Sequence, residues 1–202
     1  MIDHNFEKRL TSTKKFYSYL SDLVGNFSTV RTSKSKLDKQ FQNKILLAVT
    51  QVNGCRYCSY LHTKHALESG MSEEEIKSLL AGEVGNIDNE ESVALIFAQH
   101  YAETQANPDL KSVQRLFDTY GNEKANYIIA TIQAIMAGNI HGISVDLLQS
   151  RLRGKADPDS SFSTEVSSAL GILLFVPYLA IKKLFGLLKE RQLHKIQEVA
   201  HV

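Results

Sequence analysis

Two cysteines three residues apart are the most reactive side chains in this sequence of 202 residues. Cys55 and Cys58 form a C-x-x-C motif, and the chain contains no other cysteine. His62 follows Cys58 by four residues, so a helix through this segment would place the thiol and the imidazole on one face. An imidazole beside a thiol can accept its proton or hold the thiolate as an ion pair. The motif therefore predicts dithiol redox chemistry.

A thiolate with a neighbouring thiol can act in two ways. It can reduce a peroxide and become a sulfenic acid, which the second thiol converts to a disulfide. It can also exchange directly with a disulfide substrate. A helix that begins at Gly54 or Cys55 favours both reactions, because the free N–H groups and the dipole of its first turn stabilise a thiolate.

Two other uses of the motif stay open at this level. His65 extends the stripe formed by Cys55, Cys58 and His62, so the four side chains could be zinc ligands. Consecutive positions on one helix seldom complete a zinc tetrahedron, and we therefore expect no metal. The second alternative is a helical oligomer whose cysteines sense the redox state while a partner provides the output.

Composition excludes several classes of protein. The apolar fraction of 43% and the charged fraction of 22% are those of an ordinary soluble protein. A net charge of +1 gives no long-range field for nucleic acid, so we expect no nucleic-acid partner. Residues 1–10 are too polar for a signal peptide, which predicts a cytoplasmic location, where structural disulfides are rare.

Apolar residues recur at spacings of three and four along most of the chain, which predicts an all-α fold. The helices that must position the motif run over 36–52, where Gly54 offers a stop, and over about 54–69, where Gly70 ends the motif helix. Ser72 opens a short helix with a capping box. These signals place the two cysteines in the first turn of the motif helix.

Further helices are expected from Asn89 to the segment before Pro108, over 109–120, and from Asn122 onwards. Gly121 separates the last two, and the apolar helix from Asn122 is expected to loosen at Gly138. Together these helices give a core over residues 1–153. A linker rich in turn-forming residues follows at 154–162, and a C-terminal helical extension covers 163–202.

The extension contains a run without charge at residues 166–181. As a helix this run would be about 24 Å long, shorter than the roughly 30 Å hydrocarbon core of a bilayer. Pro177 is expected to kink or break it. We prefer an arm packed on the core or on a neighbouring subunit, because a soluble monomer does not tolerate so much exposed apolar surface. Contact with a membrane is the alternative, since Lys182, Lys183, Lys189 and Arg191 follow the run.

The segment over residues 43–76 resembles the carboxymuconolactone decarboxylase superfamily. Its stretch Asn-Gly-Cys55-Arg-Tyr-Cys58-Ser-Tyr-Leu-His62, followed by Gly70-Met-Ser-Glu-Glu-Glu-Ile, is similar to the alkylhydroperoxidase AhpD-like, peroxidase-related branch of that superfamily. The resemblance covers roughly residues 20–153 and leaves out the C-terminal extension. It implies a multi-helical core that assembles into trimers, hexamers or other oligomers built from dimers.

The same resemblance implies a peroxidase that works without metal, flavin or haem. Cys58 would attack the peroxide, Cys55 would resolve the sulfenic acid, and His62 would relay the proton. A dithiol reductant of unknown identity would then regenerate the enzyme. Relatives that decarboxylate a lactone acid need no C-x-x-C motif, so the intact cysteine pair argues against that third alternative.

Asn43 departs from the pattern of the family, which usually has a glutamate twelve residues before the first cysteine. An amide cannot carry a proton at neutral pH, although Asn43 could orient His62 by a hydrogen bond. Glu83 and Glu90 are the candidate acids from other helices. The substitution predicts a weak peroxidase if no other acid replaces the glutamate.

Overall fold

A computed structural model describes residues 8–32, 36–84 and 89–200, and the side chains of all of these except 27–32, 89 and 187–200. All regular secondary structure in the described residues is helical, which confirms the predicted all-α fold. The helices are α1 (Thr13–Thr32), α2 (Lys39–Asn53), α3 (Arg56–Glu68), α4 (Glu73–Leu80), α5 (Asn89–Glu103), α6 (Leu110–Leu152) and α7 (Phe162–Ala200).

Helix α6 is the centre of the fold, because it contacts α1, α2, α3, α5 and α7. Its apolar side chains are buried along almost the whole length, for example Leu116, Ile128 and Ile132 at 0% exposure. The chain kinks at Gly121, whose φ of 69° and ψ of 170° are not helical. This kink confirms the predicted boundary between the two segments, since a φ of that sign is strained for any residue with a side chain.

Beyond the kink, α6 runs through Gly138 without interruption to Leu152. The predicted loosening at Gly138 is therefore wrong. Buried side chains on both sides of that position, Ile135 before it and Ile140 and Ile143 after it, hold the helix against its neighbours. Tertiary packing of this kind outweighs the weak helix propensity of a single glycine.

The turn between α2 and α3 puts both cysteines at the start of α3. Helix α2 ends at Gly54, which has a left-handed φ of 68° and whose N–H donates to the carbonyl of Thr50. Cys55 is then extended and forms the N-cap of α3, whose first helical residue is Arg56. The predicted stop at Gly54 is confirmed. The motif helix begins at Arg56, one residue after Cys55.

Charged side chains join the helices that surround the motif. The Ser72 hydroxyl caps α4 by accepting from the N–H of Glu75, as the capping pattern predicted. The carboxylate of Glu75 lies 2.9 Å from the ammonium of Lys44 on α2, and Glu91 on α5 lies 2.7 Å from the same ammonium. Lys44 therefore links α2, α4 and α5 through these two ion pairs.

Helix α7 packs on α1 and α6, after a connection over 154–161 that contains no helix. It continues through Pro177, so the predicted break there is wrong. Side chains on both sides of the proline, including Val176 and Leu179, pack against the core and hold the helix in place. The side chains of Lys189 and Arg191 and residues 201–202 lie outside the described residues.

Two helices in the described residues are long and apolar enough to cross a membrane by length and composition alone. The first is α6, where 61% of the most apolar window is buried inside the protein. The second is the segment Phe162–Gly186 of α7, where only 22% of that window is buried. The large apolar side chains exposed on this segment beyond its first residue form the α7 outer face: Leu170, Leu173, Leu174, Tyr178, Ile181, Leu184 and Phe185.

Candidate active site

Cys55 and Cys58 are joined by a disulfide bond, with their Cα atoms 5.3 Å apart. The Sγ atom of Cys55 accepts a hydrogen bond of 3.2 Å from the N–H of Cys58, which makes the sulfur the N-cap of α3. A thiolate at Cys55 would keep this hydrogen bond and lie at the positive end of the helix dipole. The structure therefore brings the two predicted cysteines together as a bonded pair.

The two cysteines differ in their burial. Cys55 is fully buried and packs with Ile143 and Leu147 of α6. Cys58 packs against the same cluster but is only partly buried. Of the two cysteines, Cys58 is therefore the one with some contact with solvent, whereas Cys55 is covered.

One stretch of α6 covers the inner side of the disulfide. This α6 wall consists of Gly138, Gly142, Ile143 and Leu147. The carbonyl oxygen of Gly138 lies 3.9 Å from Sγ of Cys58. Gly142 lies so close that its backbone faces both sulfurs with no space for a side chain. The motif helix thus supplies the cysteines, and α6 supplies the surface against which they close.

His62 is largely buried on α3, and its Nδ1 atom has no hydrogen-bond partner among the described residues. Burial, together with a smaller effect of the nearby His65, lowers the pKa of His62 to about 4. The imidazole is therefore neutral at neutral pH and can accept a proton. An unpartnered buried nitrogen is costly in a folded protein, and such atoms often mark sites of function.

Asn43 is buried on α2, but its amide is directed to the end of α3. Its Nδ2 atom donates to the carbonyl of His65 at 3.2 Å and to the hydroxyl of Ser69 at 3.1 Å. Both N–H groups of Asn43 are thus used one and two turns beyond His62, and neither reaches the imidazole nitrogen that lacks a partner. The structure therefore assigns the amide to anchoring α3 on α2, and a part for Asn43 in proton transfer stays a prediction.

The other candidate residues lie in different surroundings. The carboxylate of Glu83 accepts a hydrogen bond of 3.2 Å from Ser78 just after α4, and the backbone carbonyl of Glu90 accepts one from the hydroxyl of Tyr120. His65 is about half exposed and lies 3.4 Å from the carboxylate of Glu68. Within the described parts of the chain, no cluster of three or more histidine, cysteine or acidic side chains could hold a metal ion.

Comparison with known proteins identifies one family. The sequence model of the carboxymuconolactone decarboxylase family matches residues 20–98, which span part of α1, all of α2 to α4 and the first part of α5, with Cys55, Cys58 and His62. Residues 20–98 are therefore similar to that family. The match covers less than half of the chain and ends before α6 and α7. No curated protein and no solved structure matched the chain in the same comparisons.

The segment that matches the family model does not contain the whole site, because the α6 wall lies outside the matched residues. A further site residue on α6 is Asp146, a buried carboxylate that accepts from Arg56 at 2.8 Å and from Lys8 at 3.0 Å. Sequence reasoning missed Asp146 and Gly142. Both are about ninety residues from the motif, and the helical period alone does not show which turn of α6 faces the cysteines.

Proposed function

We propose that the protein is a thiol-dependent peroxidase of the AhpD-like kind, which reduces a peroxide through a dithiol and disulfide cycle. The observation that carries the proposal is the disulfide at the start of α3, with Cys58 partly exposed and Cys55 buried behind it. The similarity of residues 20–98 to the carboxymuconolactone decarboxylase family is consistent with this activity. The disulfide and the difference in burial between the two cysteines suggest a role for each of them.

Cys58 is the nucleophile in this proposal, because it is the cysteine that is only partly buried. The Cys58 thiolate attacks one oxygen of the peroxide, forming an S–O bond while the O–O bond breaks. The sulfur loses two electrons and becomes a sulfenic acid, and the second peroxide oxygen leaves as an alkoxide or hydroxide. That oxygen then takes a proton and is released as an alcohol or water.

Cys55 completes the oxidation. Its thiolate attacks the sulfenic sulfur of Cys58, the S–S bond forms, and hydroxide leaves and becomes water. The sulfurs need little movement, since the two cysteines are already bonded in the described structure. Burial of Cys55 also excludes external thiols from the resolving position. The products of one cycle are the reduced substrate, water and the disulfide.

A dithiol reductant returns the enzyme to its starting state by thiol–disulfide exchange. The reductant attacks the sulfur of Cys58, and Cys55 is then the leaving thiolate. The hydrogen bond from the N–H of Cys58 to Sγ of Cys55 stabilises this leaving group. The second thiol of the reductant displaces Cys58 from the mixed disulfide, so the two electrons pass from the reductant to the enzyme.

His62 is the proton carrier in the proposal. A neutral imidazole four residues after Cys58 shares its helix face and can accept the thiol proton. The lowered pKa of His62 means that the buried imidazolium is unstable, so it gives the proton up readily to the departing oxygen. Neither step needs a carboxylate beside His62, which agrees with the amide at position 43.

Steady-state turnover tests the function. Consumption of hydrogen peroxide and of an organic hydroperoxide is measured with dihydrolipoamide or dithiothreitol as the reductant, for the wild type, Cys58→Ser and Cys55→Ser. We expect catalytic turnover in the wild type and its loss in Cys58→Ser, with Tyr60→Phe as an exposed control on the same helix. Stoichiometric oxidation without turnover under every reductant would favour a redox sensor instead.

We also propose that the α7 outer face packs on a second copy of the chain. The inner side of α7 is held by the core over much of its length, from the hydrogen bond between Thr13 and Ser167 to the ammonium of Lys183, which donates to the carbonyls of Val24 and Gly25. A helix fixed in this way cannot cross a bilayer without breaking these contacts. Burial against another subunit would cover the apolar side chains that remain exposed.

A further inference from the structure

Gly142 occupies a position on α6 where any side chain would collide with the disulfide. A Cβ atom built on Gly142 would lie 2.7 Å from Sγ of Cys55 and 2.8 Å from Sγ of Cys58. Carbon and sulfur atoms that are not bonded do not approach so closely in folded proteins. The residue lies in a regular helix, where glycine stabilises the helix less than alanine does. The local backbone therefore does not explain a glycine here, whereas the contact with both sulfurs does.

Gly138 provides an internal comparison one turn earlier on the same helix. A Cβ atom at Gly138 would meet only the end of the Ile135 side chain, at an ordinary 4.0 Å. Its carbonyl lies 3.9 Å from Sγ of Cys58, so it belongs to the same wall but leaves room for a methyl group. The steric requirement is therefore specific to position 142 and to the two sulfur atoms.

We propose that Gly142 is a positioning residue that lets α6 support the closed disulfide, and that it thereby sets the balance between the disulfide and the dithiol. In the disulfide both sulfurs are fixed against Gly142 by their mutual bond. In the dithiol the bond is absent, and the partly exposed Cys58 side chain can rotate away from α6. A methyl group at position 142 would therefore penalise the oxidised state more than the reduced state.

This proposal has a kinetic consequence that rests on the proposed peroxidase function. Formation of the sulfenic acid on Cys58 needs only the peroxide and the Cys58 thiolate. Resolution needs the Cys55 thiolate to bond to the sulfenic sulfur and release water, and both sulfurs must then occupy the position beside Gly142. A methyl group there should slow resolution and leave the first step unchanged, so the sulfenic acid should last longer.

The equilibrium part of the proposal is tested by the reduction potential of the full-length protein. The wild type, Gly142→Ala and Gly138→Ala are equilibrated in mixtures of reduced and oxidised dithiothreitol or glutathione, and the disulfide fraction is measured by thiol alkylation and mass spectrometry. We expect Gly142→Ala to favour the dithiol by about tenfold, a potential about 30 mV more oxidising. Gly138→Ala should stay within about twofold of the wild type. Equal potentials for the two variants would overturn the proposal.

A folding control keeps the test decisive. If Gly142→Ala does not fold, the same substitution is made together with Cys55→Ser and Cys58→Ser, which removes both sulfurs. Recovery of a folded protein supports the steric account, and failure to fold shows that Gly142 serves the helix packing instead. The potential is measured with thiol buffers and without peroxide. A protein without peroxide turnover would therefore contradict the proposed function and leave the role of Gly142 separately measurable.

Discussion

Helices α6 and α7 are both long and apolar, and the sequence alone does not distinguish their roles. Both pass the same test of length and composition for a membrane-spanning helix, yet 61% of the apolar window is buried in α6 and 22% in α7. Among the described residues, α6 has five helices packed around it, whereas α7 contacts α1 and α6. The hydropathy of a helix therefore indicates how much apolar surface it has, whereas the fold shows which helices bury that surface.

The two helices also use glycine in different ways. In α6, Gly142 leaves room for the disulfide of the candidate active site. In α7, Gly171 leaves room for the aromatic ring of Phe16, since a Cβ atom there would lie 2.5 Å from the ring. The first glycine serves the chemistry of the site, and the second attaches α7 to the core. In both helices a glycine allows another side chain to approach the backbone closely. The approaching group is the disulfide at Gly142 and an aromatic ring of the core at Gly171.

The largest expected difference between the helices is in stability. Leu116→Ala on α6 removes a fully buried side chain and should lower the free energy of unfolding by about 2–5 kcal/mol. Leu173→Ala on α7 makes the same chemical change at a side chain that is 69% exposed, and it should change the stability of the monomer by at most about 0.5 kcal/mol. Urea unfolding at a concentration where sedimentation shows a monomer measures both. Similar losses in the two variants would contradict the contrast.

The pH dependence of stability should differ between the site and the start of α7. Burial lowers the pKa of His62 from 6.5 to about 4, so between these values the unfolded protein binds more protons than the folded protein. The contribution of His62 is therefore fully present above about pH 6.5 and is lost as the pH falls towards 4, by up to about 3 kcal/mol. His62→Gln should remove this part of the pH dependence, as measured by urea unfolding of the oxidised protein from pH 7 to 4.

Glu165 at the start of α7 is the matched comparison for His62. Its carboxylate is buried, and hydrogen bonds from Arg151, 2.8 Å away, lower the pKa of Glu165 below 4.5. Its contribution is present above that value and is lost only as the pH falls through the lower folded pKa. Glu165→Gln should therefore alter the profile below pH 4.5 and leave the interval from 6.5 to 5 unchanged. A change in the upper interval would show that the two windows are not separate.

The smallest expected effect on the fold concerns the α7 outer face. Leu173→Glu combined with Phe185→Glu places two charges on that face and should abolish association, as measured by sedimentation and light scattering, while the circular dichroism spectrum stays that of the wild type. Leu152→Glu, at a side chain that is 75% exposed on α6, is the control and should leave association unchanged.

The alternative partner of this face is a lipid surface. If the double variant keeps the association state of the wild type, and the wild type floats with phosphatidylcholine liposomes while the variant does not, the membrane interpretation replaces the subunit contact. If neither association nor liposome binding changes, the face has another partner and the proposal for a second copy is wrong.

The features that could be predicted from the sequence are those set by local chemistry. Gly54 and Gly121 end helices because they adopt a positive φ, and Ser72 caps a helix because its hydroxyl accepts a nearby N–H. Gly138 and Pro177 carry the same kind of local signal, yet packing on both sides keeps the helices continuous there. Local signals therefore predict helix ends where the chain adopts a positive φ or a capped turn, and they fail where packing on both sides keeps the helix continuous.

The site was predictable only as far as its residues are close in sequence. The pair Cys55 and Cys58 follows from one short motif, and the family resemblance includes it. Gly142 and Asp146 belong to the site through a contact between α3 and α6, and no local pattern encodes that contact. Asn43 was chosen from its position in the family pattern, and its amide binds the end of α3, so its part in proton transfer stays a prediction.

The most direct test of the peroxidase proposal is a single turnover followed by intact-mass spectrometry. Reduced wild type, Cys55→Ser and Cys58→Ser are each mixed with one equivalent of peroxide in the absence of reductant. The proposal predicts that the wild type loses about 2 Da as the disulfide forms, and that Cys55→Ser gains about 16 Da as a sulfenic acid on Cys58. Cys58→Ser should stay unmodified on the same timescale. Rapid oxidation of Cys55 in the Cys58→Ser variant, or a wild type that does not react, would contradict the assignment of Cys58 as the peroxide-reducing thiolate.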